Sequence, residues 1–95
     1  MTTYLVFTRL ATTDQSEMDV YSSKVGATFA GHPVTPLAAY GAQEILEGSD
    51  HEGMVVLAFP DKEAALGWYQ SPAYQEARAH RFKGASYQVT LTEGL

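Results

Sequence analysis

The sequence predicts an α+β domain in which four strands form one antiparallel sheet and helices cover one of its faces. Three observations carry that expectation. Four segments read as strands, residues 4–10, 36–47, 54–59 and 85–92, and are separated by turn and cap signals; the first is β-branched and aromatic, the third apolar throughout and the fourth alternating. Helical spacing occupies the intervals after the first and third of them. The third segment, Met54 to Phe59, is apolar at every position, as a strand covered on both faces must be.

Each element has its own local reason. Residues 4–10, Tyr-Leu-Val-Phe-Thr-Arg-Leu, are too few for a stable helix and read as the first strand. Asp14 then caps a helix, with Glu17 three residues on as in a capping box. Met18, Tyr21, Val25 and Thr28 or Phe29 recur on one buried stripe. Gly31 ends that helix, and His32-Pro33 prevents its continuation. Residues 36–47 read as one long second strand, bent at Gly41. The polar turn Gly48 to Gly53 leads to the third strand. Asp61 caps a second helix that carries Ala64, Ala65, Trp68 and Tyr69. Pro72 disfavours helical geometry at Ser71, so the helix breaks there. Ser71 then caps a new helix, with Pro72 at its first position, that runs through Tyr74, Ala77 and Arg81. Residues 85–92 alternate, with Ala85, Tyr87, Val89 and Leu91 on one face. The order β-α-β-β-α-β is the ferredoxin-like split βαβ pattern.

Such a sheet carries both helices on one face, and its central strands are the first and third. Both are apolar at nearly every position, so the other face also needs cover. With Leu37, Tyr40, Ile45 and Leu46 added, that face is expected to be a large apolar patch. A second copy of the sheet, packed about a two-fold axis, makes a homodimeric α+β barrel, usually with about 1,500 Å² or more buried in total.

Composition sets the outer limits. Ninety-five residues make a single domain spanning 1–95. There is no cysteine, which excludes disulfides, thiolate metal sites and a cysteine nucleophile and fits a reducing compartment. Six Lys+Arg against eleven Asp+Glu give a charge of −5, which opposes binding to a phosphate backbone. The third strand also lacks the basic residue and paired aromatics of an RNA-recognition sheet. Neither a signal peptide nor a membrane-length apolar run is visible, so a cytoplasmic location is expected, with neither nucleic acid nor membrane as partner.

The residues Leu46-Glu47-Gly48, Val55 to Pro60, Ala64-Ala65, the run Trp68 to Gln75 and Arg81, with Asp14 and Tyr21 earlier, resemble family number 1330 of the domains of unknown function. The resemblance spans nearly the whole length and is most specific from Phe59 to Arg81. It implies a ferredoxin-like protomer in a dimeric α+β barrel and no established activity. The family commonly has Gly-Gly before the second strand and an arginine within it. Here Gly31 precedes His32, and Ala38 and Ala39 occupy the arginine's region, so that basic anchor for an acidic ligand is not matched there. Neighbouring families on this barrel include cofactor-independent monooxygenases, haem-degrading enzymes and small cyclases or isomerases, an analogy of fold alone.

The residues point to two functional classes. One is a small-molecule-binding protein or cofactor-independent metabolic enzyme, with a pocket between sheet and helices near Tyr40, Glu47, Trp68, Ser71, Tyr74 and Arg81. A small carboxylic or aromatic metabolite would be its ligand. Glu47, at the end of an apolar strand, is a proton-transfer candidate because burial raises a carboxyl pKa; an ion pair with Arg81 or Arg9 is its structural alternative. His32 is a second proton-transfer candidate, or a plain turn histidine. Ser71 heads a helix whose free N–H groups suit an anion, or it satisfies them itself. Trp68, Tyr69 and Tyr74 line a pocket or complete the core. His32, His51 and His80 have no ligand spacing, so neither a metal nor an organic cofactor is expected. The other class is a structural or protein-interaction module whose polar residues only pair with one another.

Overall fold

The computed structural model describes residues 1–95, in the order β1 (Thr3–Thr12), α1 (Gln15–Val25), a 3-10 turn (Gly26–Phe29), β2 (Thr35–Ala39), β3 (Gly53–Phe59), α2 (Lys62–Tyr69), α3 (Pro72–Gly84) and β4 (Ala85–Glu93). The strands form one antiparallel sheet ordered β2-β3-β1-β4, which puts the first and third strands at its centre. This is the ferredoxin-like arrangement. Alternation then separates two faces. Leu5, Phe7, Leu57 and Phe59 point to the helices and are buried with Met18, Tyr21, Ala65, Trp68, Tyr74 and Ala77.

The helix boundaries follow their caps. Asp61 Oδ1 accepts from Ala64 N at 2.8 Å at the head of α2. Ser71 Oγ accepts from Tyr74 N at 3.3 Å and donates to the Trp68 carbonyl at 2.7 Å, so one hydroxyl closes α2 and opens α3. Asp14 accepts from Ser16 N and Glu17 N at the start of α1. The reciprocal half of the expected capping box is absent. Glu17 instead places Oε2 2.7 Å from His80 Nδ1 on α3, and the Gly84 carbonyl accepts from the backbone N–H groups of Thr13 and Asp14. A Cβ on Gly84 would lie 2.9 Å from the Asp14 carbonyl oxygen, so this junction requires glycine.

Two elements are shorter than the sequence suggested. The first helix tightens into a 3-10 turn after Val25, and Gly31 turns the chain at φ +79°. The second strand stops at Ala39 instead of reaching Glu47. Tyr40 N still bonds to the Met54 carbonyl, but β3 begins at Gly53, so later residues have no partner strand. Tyr40 itself has φ +54° and leads the chain off the sheet. Residues 41–52 form a loop, closed where Glu52 N donates to the Arg9 carbonyl.

The face away from the helices carries Tyr4, Val6, Met54, Val56 and Ala58 at its centre and the polar Ser86, Gln88, Thr90 and Thr92 along β4. The expected patch is corrected in its membership. Tyr40 lies on the helix side, Ile45 and Leu46 lie outside the sheet, and only Leu37 belongs to β2. No helix is long and apolar enough to cross a membrane.

Candidate functional site

Between the sheet and the helices lies a cavity of about 210 Å³. Phe7, Val55, Leu57, Pro36 and Ala39 form its sheet side; Tyr21, Val25, Phe29 and Trp68 form its helix side; Tyr40 stands at its rim. No charged side chain lines it. The strands supply one wall because their inward residues are apolar, and the 3-10 turn supplies another by bringing Phe29 over the Trp68 ring, with centroids 5.2 Å apart. Trp68 is 1% exposed, and its indole N–H donates to Thr28 Oγ1 at 3.1 Å. Thr28 passes the bond on to the Val25 carbonyl at 2.6 Å. The largest aromatic surface of the site thus has its one polar group satisfied outside the cavity.

The rim is set by a row across the sheet. Tyr87 of β4, Arg9 of β1 and Gly53 of β3 lie opposite one another in register. Tyr40 folds back over this row. A Cβ on Gly53 would come within 2.7 Å of Tyr40 Cδ1, so the ring occupies the space that glycine leaves. The Arg9 guanidinium lies 4.8 Å from the Tyr40 ring centroid, and the Tyr40 and Tyr87 hydroxyls are 2.5 Å apart. Arg9 Nε also approaches Glu52 Oε1 to 3.1 Å, a close ion pair without hydrogen-bond geometry. Thr12 donates to that carboxylate, and this bond, ahead of Arg9, holds the Glu52 pKa below the usual carboxylate value.

A second phenol pair lies deeper. The Tyr21 and Tyr74 hydroxyls are 2.9 Å apart, and both residues are buried. Burial, more than any other influence, pushes the pKa of Tyr21, Tyr40 and Tyr74 above that of a free phenol. For Tyr74 the charge of Arg81 works against that rise. All three are neutral hydroxyls at physiological pH, able to donate and accept hydrogen bonds.

The residues anticipated from sequence separate into three groups. Tyr40 and Trp68 line the cavity. Tyr74 and Arg81 lie behind its wall: Tyr74 stacks on Trp68 at 4.1 Å, and the Arg81 guanidinium is 5.7 Å from the Phe7 ring. Ser71, Glu47 and His32 are elsewhere. Ser71 is occupied by its two cap bonds. Glu47 is exposed in the 41–52 loop and forms no ion pair with Arg9 or Arg81; the strand end that was to bury it does not exist. His32 borders a separate groove with Thr2, Pro33, Phe59 and Pro60, at the other end of β2 from Tyr40. No group of acidic and histidine side chains is placed to hold a metal ion. Sequence reasoning missed Tyr21, Tyr87 and the Arg9–Glu52 pair as site components. The first two were visible as core-facing aromatics, but their roles depend on strand register.

The fold and this cavity define a ferredoxin-like α+β protein with an aromatic-walled chamber under its sheet. The chain belongs to the family described as Domain of unknown function (DUF1330), whose model matches residues 2–95. No curated protein matches it. Among solved structures, it is similar to a protein of unknown function from Rhodopseudomonas palustris, with a TM-score of 0.75 and 18% identity over 99% of this chain and 82% of that one. A dimeric ferredoxin-like protein of unknown function from Jannaschia sp. matches at TM-score 0.71 and 14% identity, covering 99% of this chain and 100% of that one. SnoaB, a cofactor-independent oxygenase from Streptomyces nogalater, matches at TM-score 0.61 and 13% identity, covering 98% and 91%. These likenesses are likenesses of fold.

Proposed function

We propose that this protein is a small-molecule-binding protein or cofactor-independent metabolic enzyme whose ligand is a compact aromatic molecule held between sheet and helices. The cavity carries this reading. A module whose aromatics served only packing would close around them, whereas here about 210 Å³ stays open beside Trp68. The paired phenols taken alone would suit a purely structural role, since each hydroxyl already has a partner. The open volume favours the binding role. The fold likeness to a cofactor-independent oxygenase supports a site that works without metal or organic cofactor. Glu47 and His32 have no part in this site, and any proton transfer would fall to the phenols. The working form is a homodimer, joined through the apolar centre of the free sheet face.

Trp68 is the chain's single tryptophan and a wall of the cavity, so it reports occupancy directly. Titration with benzamide, cinnamamide and 2-naphthamide is expected to change its fluorescence saturably and to raise the melting temperature. If neither signal moves for any of these amides or for the corresponding carboxylic acids, the binding reading fails.

A further inference from the structure

Arg81 is 2% exposed, and its Nε and Nη2 nitrogens have no hydrogen-bond partner. The ion pairs of the chain join Arg9 to Glu52, Lys24 to Glu76 and His80 to Glu17, and none reaches Arg81. Its guanidinium lies among ring faces, 4.8 Å from the Tyr87 centroid, 5.1 Å from Phe82 and 5.7 Å from Phe7. A guanidinium stays protonated at any physiological pH; the ring faces offset part of its charge but offer no acceptor for these two forked donors. A buried charge lacking a counter-ion is costly to the fold, so a negative charge brought near this guanidinium would be strongly favoured.

The position of Arg81 relates it to the cavity. Phe7, one of the rings it faces, is a cavity wall. Tyr21 and Tyr40 line the cavity, and their hydroxyls meet those of Tyr74 and Tyr87, the two phenols beside Arg81. A carboxylate arriving at these hydroxyls would exchange neutral phenol–phenol bonds for stronger charge-assisted ones and would bring a negative charge to the guanidinium. Arg9 is the other cation at the rim, and Glu52 already neutralises it.

We infer that Arg81 is the counter-ion for a carboxylate carried by the ligand, received through the Tyr21–Tyr74 and Tyr40–Tyr87 hydroxyls, so that the ligand class is the aromatic acids. This rests on the cavity reading above and adds the charge of the ligand to it.

The test compares benzoate, cinnamate and 2-naphthoate with their primary amides by calorimetry on the full chain. At least one acid is expected to bind about tenfold or more tighter than its amide. Arg81→Met is expected to remove that preference while amide binding persists. Should that variant fail to fold, Tyr40→Phe with Tyr87→Phe keeps Arg81 and removes one receiving pair; it is expected to shrink the preference. Equal binding of acids and amides overturns this inference and leaves the cavity reading standing. Binding of neither overturns both. A preference that survives Arg81→Met, or survives undiminished in the double variant, also overturns it.

Discussion

At the scale of single residues, the site depends on buried phenols whose ionisation burial opposes. Tyr21 and Tyr74 are 7% and 0% exposed, and both are harder to ionise in the fold than at the free-phenol value of 10.0. The sign of the consequence is fixed. Above pH 10 the unfolded chain loses phenolic protons that the native chain retains, so the unfolded state binds fewer protons and stability falls as pH rises. Below pH 10 the contribution is fully present. Chemical denaturation at a series of alkaline pH values is expected to show a loss of up to about 1.4 kcal/mol per pH unit for each such tyrosine. Tyr21→Phe is expected to reduce that slope; an unchanged slope would mean that Tyr21 titrates as a free phenol. Only part of this cluster was legible in the sequence. Trp68, Tyr74 and Arg81 stand out by spacing or by family likeness, and Tyr40 by its place in the second strand. Which hydroxyl meets which was not legible, because the Tyr87–Arg9–Gly53 row exists only once two strand pairings are in register.

At the scale of elements, local signals worked where a side chain caps its own backbone and failed where distant segments compete. The Ser71-Pro72 break was read correctly because its cause lies within four residues. Ser71→Ala removes both the cap of α3 and the bond back to Trp68. It is expected to cost about 1–2 kcal/mol in equilibrium unfolding, with ligand binding per folded molecule unchanged. A specific loss of binding would return Ser71 to the site. Glu17 was assigned to its own helix start, but the Gly84 carbonyl had already satisfied those N–H groups and freed the carboxylate for His80. The second strand is shorter than its sequence suggests because its apolar residues run on past the point where β3 begins at Gly53. The longer strand would put Glu47 at a buried end and leave Tyr40 on the wrong side of the sheet.

At the scale of the molecule, the sheet is half covered. Val6 and Val56 sit opposite one another at the centre of the free face, with Tyr4, Met54 and Ala58 around them and a polar margin along β4. An apolar centre with a polar rim is the anatomy of an interface between subunits. Sedimentation at micromolar concentration is expected to show a dimer, and Val56→Asp is expected to yield monomer by placing a charge in that centre. A wild-type monomer would remove the homodimer from the proposal. This face was predictable from sequence in its existence, since β3 is apolar at both parities, but not in its outline, which depended on where β2 ends.

The contact between Tyr40 and Tyr87 has a mechanical consequence. Tyr40 follows the strand at one edge of the sheet and Tyr87 belongs to the strand at the other, 47 residues away along the chain. Their hydroxyl bond is a clasp that spans the sheet's full width, passing over Gly53 and Arg9 of the two central strands. Anything that opens it should loosen both margins together while the middle stays closed. Amide hydrogen exchange would then speed up in Ala38–Tyr40 and Ser86–Gln88 in concert, so that the two edges of the sheet behave as one dynamic unit.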